Sequence, residues 1–260
     1  MWYCLGMSKN VIWKVISTQR EQYVMNQPLS GVQIPLEFGF RETADFGHFI
    51  EGPNTEVCKL SRSIALGETF QSVYIWGQAA IGKSHLLQAV CNLASQADLN
   101  VAYIPLSQYA ELSPEMLEGL HHLHMVCVDD IDYIVGQPEW EQALFHLYNR
   151  LRDQQRPLLM TGANGPRDLA FQLEDLKSRI IWDLTYHLQP LSDKDKISLL
   201  QKRADARSFE ISAEVATYLV KNVKRDLPSL LELLDKFDQA TLAEKRKLTI
   251  PFVKSLIQDI

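Results

Sequence analysis

The sequence predicts an α/β protein, a parallel sheet covered on both faces, followed by a small domain made only of helices. Three observations carry this. Short continuous apolar runs alternate with segments of helical spacing from Ser72 to Pro190. A glycine-rich loop, "GQAAIGKS", joins the first of these runs to the first of these helices. After Pro190 the strand-like runs stop, and the remaining segments have helical spacing.

Taken in order, "SVYIW" (72–76) is a β-branched and aromatic run ended by Gly77. "KSHLLQAVCNLASQ" (83–96) places Leu86, Leu87, Val90 and Leu93 on one helical face. "VAYIPL" (101–106) is a second strand. "SPEMLEGLHHL" suggests a helix with Ser113 as N-cap and Pro114 at its first position. "MVCVDD" (125–130) is an apolar run ending in acids, and "EWEQALFHLYNRLRD" (139–153) an amphipathic helix. "PLLMTG" (157–162) and "TYHLQP" (185–190) complete the strands. Four helical segments follow, with Ser192, Ser212 and Thr249 as N-caps. The expected organisation is therefore an extension over 1–24, a flexible segment over 25–44, an α/β domain over 45–190 and a helical lid over 191–260.

The chain has 260 residues and a net charge of −6, so no general basic field draws it to nucleic acid. Cys4, Cys58, Cys91 and Cys127 lack a CxxC spacing, which suits reduced thiols in a cytoplasmic protein. Neither a signal peptide nor a membrane span is expected. Residues 1–24 show no clean period, and Met25 opens a run that reads as a native start. Two readings stand there, an over-long gene start and a genuine extension.

Gly77 to Ser84 matches G-x-x-x-x-G-K-[ST] in the strand–loop–helix setting that this motif requires. Gly77, Gln78, Ala79, Ala80, Ile81 and Gly82 would turn backbone N–H groups toward phosphate, helped by the positive end of the helix that follows. Lys83 would reach the β- and γ-phosphates, Ser84 would ligate Mg²⁺, and His85 continues the motif's helix. Asp129 would hold Mg²⁺ through water, and Asp130 would orient an attacking water. Two other clusters read more plainly. His121, His122 and His124 lack ligands to complete a metal set and suit a surface turn. "NVKRD" and "KRK" (245–247) are short, mixed with acids, and suit a solvated helix face.

A phosphate-binding loop with a helical lid resembles the AAA+ ATPases. "FGHFIEGPN" (46–54), "GQAAIGKSHLLQAV" (77–90), "VCVDDIDYI" (126–134), "LKSRIIW" (176–182) and "KLTIPFVKSLI" (247–257) together resemble the bacterial initiator family DnaA, and still more its shorter Hda relatives. The resemblance implies a base pocket at Phe46, Phe49 and Ile50, and an arginine finger at Arg179 acting on a partner's nucleotide. "QIPLEF" resembles that family's sliding-clamp peptide, with Gln33 in a polar pocket and Ile34, Leu36 and Phe38 in apolar clefts. It implies ADP (or ATP) and Mg²⁺ as cofactors, and the clamp and the initiator as partners. DNA would be met only through the loaded clamp, and AAA+ interfaces would allow self-association. Ile260 follows directly on the last lid helix, where an initiator would continue into a helix-turn-helix domain, so sequence-specific DNA binding is not expected.

The family pattern also breaks in two places. Ala163 stands where relatives tend to carry the sensor-1 Asp, with Asn164 the nearest polar residue. Pro228 stands where the lid would carry the sensor-2 arginine, with Lys224 and Arg225 nearby. Weak or no turnover by the chain itself is therefore expected, with ADP as the working nucleotide. The rival readings are an autonomous AAA+ ATPase such as a helicase loader, a non-catalytic DNA-binding factor and, more distantly, a P-loop kinase.

Overall fold

The computed structural model describes residues 44–207, 209–222, 227–244 and 248–258. The readings at Met25, at residues 1–24, at Gln33, Ile34, Leu36 and Phe38, at Cys4, at Lys224 and Arg225, and at 245–247 lie outside these residues.

The chain divides into two compact units. The first is built on five parallel strands, β1 (Val73–Trp76), β2 (Val101–Pro105), β3 (Met125–Asp129), β4 (Leu158–Gly162) and β5 (Leu184–His187), in the order β2-β3-β4-β1-β5. Every residue of β3 and β4 is buried, as expected of inner strands packed on both faces. Strand β5 is an edge and remains largely exposed. Helices α1 (Thr55–Ala65), α2 (Lys83–Gln96), α3 (Pro138–Asp153) and α4 (Glu174–Trp182) supply the crossovers and flanks. The core joins Tyr74, Ile104, Val126 and Met160 of the sheet to Leu144, Leu151, Leu176 and Ile180 of α3 and α4. Cys58, Cys91 and Cys127 are buried free thiols.

One core residue is a charged staple. Glu141 is 1 % exposed, and its carboxylate accepts from the backbone N–H of Gly136 at 2.7 Å and of Leu173 at 2.8 Å. It thereby fixes the loop entering α3 and the start of α4. Its position in the first turn of α3 also suits the helix dipole.

Two expectations need correction. The helix expected from Ser113 is broken into short 3₁₀ turns, Pro114–Leu117 and Leu120–His122. Gly119 separates them at φ 78°, a left-handed conformation that no regular helix accommodates. Ser113 does not cap a backbone N–H; its hydroxyl bonds the Glu115 carboxylate instead. Helix α1, conversely, has no counterpart in the expected element order.

The second unit contains α5 (Asp193–Asp205), α6 (Ala213–Asn222), α7 (Leu227–Glu244) and α8 (Ile250–Gln258), together with Phe46–Thr55 and Ala79–Gly82. Leu200, Ala204, Val215, Leu219, Leu230, Leu234, Phe237 and Val253 form its core. Ser192 caps α5, as the sequence suggested, and the structure adds a capping box with Asp195; Ser212 accepts from Val215 N–H at 3.3 Å. Asn54 and Gln189 join the segment to α5's approach: the Asn54 amide donates to the Gln189 carbonyl at 2.9 Å and accepts its N–H at 2.7 Å.

Candidate nucleotide-binding site

Strand β1 delivers the chain into the Gly77–Gly82 loop, and α2 begins at Lys83. The loop needs unusual backbone angles: Ala80 has φ 58° and Gly82 φ 112°. A side chain at Gly82 would be strained by that φ and would meet the Phe49 ring at 3.5 Å. Phe49 therefore lies against the loop, while Phe46 and Ile50, expected with it around a base, are half-buried in the same segment. Lys83 is 7 % exposed, and its ammonium donates to the carbonyls of Gly77 at 2.9 Å and Gln78 at 3.1 Å. Ser84 is half-buried in the first turn of α2. The His85 ring lies 3.4 Å from the Asp45 carbonyl, turned toward the segment that enters the fold.

Asp129 ends β3 and is 2 % exposed. A buried carboxylate requires donors, and neighbouring strands provide them. The Tyr103 hydroxyl of β2 donates to one oxygen at 2.6 Å, and the Thr161 hydroxyl of β4 donates to the other. Thr161 also accepts the Asp130 N–H at 2.9 Å. Burial and the Asp129 charge push the Tyr103 phenol far above its ordinary value, so it remains a donor.

Asp130 follows in the left-handed region, φ 57° and ψ 56°, which Asp tolerates better than most residues. Burial, then the Asp129 charge, raises its pKa to about 6, against the opposing pull of Lys83. Asp132 supports the neighbouring turn by accepting the Ala163 N–H at 2.7 Å. Gly162 has no room for a side chain, since a Cβ would run into the Tyr74 hydroxyl, which donates to the Asn164 carbonyl at 2.6 Å. Ala163 and Asn164 themselves are exposed. The polar β4 residue that meets the Asp129 carboxylate is Thr161, two positions before Ala163.

Arg179 lies elsewhere in this unit, half-buried in the last turn of α4. The first residue of β5 pairs with the first of β1, so the α4–β5 junction sits at the strands' N-terminal rim. The Gly77 loop leaves the opposite, C-terminal rim. Among the clusters set aside, the His121 and His122 rings lie tilted against each other with centroids 4.0 Å apart, and His124 accepts the Asn100 N–H at 3.1 Å. Pro228 is the second residue of α7, a first-turn position that proline tolerates.

The bacterial DnaA ATPase-domain family matches residues 40–187, more than half the chain. The chain belongs to that family. A second match, to the Hda lid domain over residues 193–257, makes it an Hda-like, DnaA-related protein. Domain III of the Thermotoga maritima replication initiation protein DnaA is similar at 23 % identity, covering 85 % of this chain and 98 % of that one, with a TM-score of 0.73. A replication initiator DnaA bound to AMPPCP and single-stranded DNA matches at 20 % identity, 79 % and 69 % coverage and a TM-score of 0.64. AMPPCP-bound DnaA from Aquifex aeolicus matches at 19 % identity, 75 % and 64 % coverage and a TM-score of 0.62. These likenesses support the AAA+ fold. Among the described residues no helix is long and apolar enough to cross a membrane.

The residues present suit the nucleotide and Mg²⁺ that a DnaA-type site implies. The loop keeps a glycine where φ 112° would strain any side chain, the Lys83 ammonium stands at the helix start, and Asp129 supplies a buried hard-oxygen donor. Ser84 and Asp129 are the residues that would hold the metal, the latter through water.

Proposed function

We propose that this DnaA-related protein is a negative regulator of replication initiation that activates ATP hydrolysis on the initiator. The peptide Gln33–Phe38 tethers it to a DNA-loaded sliding clamp, and Arg179 is presented to the initiator's ATP. ADP, held by Gly77–Ser84 with Mg²⁺ at Ser84 and Asp129, maintains the working form. Lys83 would lie along the phosphates and Asp130 beside the metal water. The family's base pocket would be Phe46, Phe49 and Ile50. The 45–190 and 191–260 domains fulfil these roles in a cytoplasmic protein.

The observation that carries this reading is the separation of Lys83 and Arg179 to opposite rims of one parallel sheet. Four strand residues span roughly 10–13 Å, and the P-loop and α4's last turn lie beyond the two ends. An arginine so placed serves another molecule's phosphate rather than its own. Such a finger raises hydrolysis by about 10³–10⁵-fold, and clamp tethering would raise the local concentration of a weak contact.

The test measures hydrolysis of initiator-bound ATP with clamp loaded on DNA. The unaltered chain should accelerate it, while Arg179→Ala and a triple Gln33, Leu36 and Phe38 to alanine variant should not. Equal acceleration by Arg179→Ala would overturn the finger assignment. The intact Lys83, Asp129 and Asp130 set favours a second reading, an autonomous ATPase. Fast turnover by the chain alone, with no effect on the initiator, would establish it.

A further inference from the structure

We propose that Tyr148 and Asp183 are positioning residues for Arg179, the Tyr148 hydroxyl fixing one Asp183 oxygen so that the other, which has no partner in this structure, is held ready to take the guanidinium when a partner covers the site. The inference rests on the finger reading above.

Asp183 is the C-cap of α4, four residues after Arg179. That spacing brings side chains onto one helical face. The Tyr148 hydroxyl of α3 donates to one carboxylate oxygen at 2.8 Å. The second oxygen is buried without a hydrogen-bond partner. An orphaned anionic oxygen is costly unless a cation or donor serves it. The charges of Arg152 on α3 and then Arg179 on α4 act on this carboxylate, and neither guanidinium donates to the orphaned oxygen in this structure. Arg179 also acts electrostatically on the Tyr148 phenol. One carboxylate thus stands one helical turn from the finger, its orientation fixed from a different helix and one oxygen still without a donor.

The surroundings suit a group that works when covered. Asp183, Tyr148, Arg152 and Arg156 line a cleft of about 410 Å³ with Phe70 and Trp182. Trp182 is 86 % exposed and Phe70 56 %, an unusual outlay of aromatic surface at the end of a finger helix. A partner seated there would exclude water, and the Asp183–Arg179 attraction would strengthen as the local dielectric falls. A guanidinium fixed by its own carboxylate pays less orientational entropy when it meets phosphate.

Burial holds the Asp183 carboxyl up at about 6, against the opposing hydrogen bond from Tyr148 and charges of Arg152 and Arg179. The titratable or charged groups facing it are Tyr148 and Arg152 from α3, Arg179 from α4 and Arg156 from the turn before β4. Lowering the pH through about 6 therefore neutralises the anchor while the arginines stay charged.

The experiment is the initiator-bound ATP assay with clamp on DNA, titrated to saturation with the unaltered chain, Asp183→Asn, Tyr148→Phe and Arg179→Ala. Asp183→Asn should lower the saturating rate by about ten- to a hundredfold, the cost of a misplaced catalytic group. Its half-saturating concentration should change less than about twofold, because docking is unaffected. Tyr148→Phe, which keeps the carboxylate but frees its orientation, should fall between. Stimulation by the unaltered chain should decline as pH falls through about 6 beyond whatever decline Asp183→Asn shows. An undiminished saturating rate for Asp183→Asn, with Arg179→Ala inactive, overturns the positioning role alone. Full activity of Arg179→Ala overturns the finger reading instead. A loss confined to half-saturation, or equal pH profiles, would make Asp183 a docking or structural residue and also overturn the proposal.

Discussion

Both oxygens of Asp129 accept a hydroxyl, and each hydroxyl comes from a different neighbouring strand. Thr161 is the economical member, since one oxygen serves Asp129 and the Asp130 N–H together. Thr161→Val conserves shape and removes both bonds. It should destabilise the protein by about 2–4 kcal/mol in urea unfolding and weaken Mg-nucleotide binding; a loss under about 0.5 kcal/mol would show that the network is incidental. Asp130 behaves oppositely. Its folded pKa of about 6 lies above the ordinary carboxylate value of 3.8. Its contribution to stability is therefore fully present below that lower value and is lost as pH rises through about 6. Nucleotide-free Asp130→Asn should be more stable than the unaltered chain at pH 8, by about 1 kcal/mol after allowing for solvent screening. The advantage should vanish near pH 4, and a pH-independent difference in melting temperature would refute the assignment. Lys83, Asp129 and Asp130 were legible because the loop and strand end are contiguous strings of fixed residue types. Thr161 and Tyr103 were not, because only the strand register brings them to Asp129. Tyr103 in β2 reads as one more apolar strand residue until Pro105 is seen to pair with Asp129.

Among elements, α3 and α4 depend on a residue that sequence reading would place at the surface. Glu141 sits in the acidic first turn of α3, where a solvent-facing carboxylate is the ordinary expectation, yet it holds two backbone N–H groups from two connections. Glu141→Ala should cost about 2–5 kcal/mol, since both donors are left buried without their acceptor. Glu141→Gln, which retains one acceptor, should cost about half as much in the same denaturant titration. Similar, small losses for both would mean that water replaces the carboxylate. The strands were legible for a simpler reason: β3 and β4 are buried on both faces and carry uninterrupted apolar runs. The 3₁₀ turns after Ser113 were not, because four helix-compatible residues followed by a left-handed glycine look, in sequence alone, like the start of a longer helix. The N-cap at Ser192 was legible because a serine immediately precedes a run of helical spacing; the reciprocal bond from Asp195 came only with the structure.

At the scale of the molecule, the proposed function would make nucleotide a stability determinant as well as a cofactor. ADP with Mg²⁺ at about 100 times its Kd should stabilise the chain by about 2.7 kcal/mol, seen as a raised melting temperature. Lys83→Ala should abolish most of that rise; an undiminished rise would move the site away from the loop. The α/β-then-helical order could be read in advance because the apolar runs cease after Pro190. The grouping of Ala79–Gly82 and Phe46–Thr55 with the helical unit could not, since it depends on contacts between segments distant in sequence. Strand polarity has one more consequence. On the function proposed above, a molecule that offers Arg179 at one rim and the Gly77 loop at the other would have a head and a tail. Contacts of that kind are heterologous, so each added subunit leaves the same unmatched face behind it. Growth stops where a member lacks one of the two faces, and on that same proposal a chain holding ADP in its loop would serve as such a terminator, ending a row with Arg179 as its engaged face.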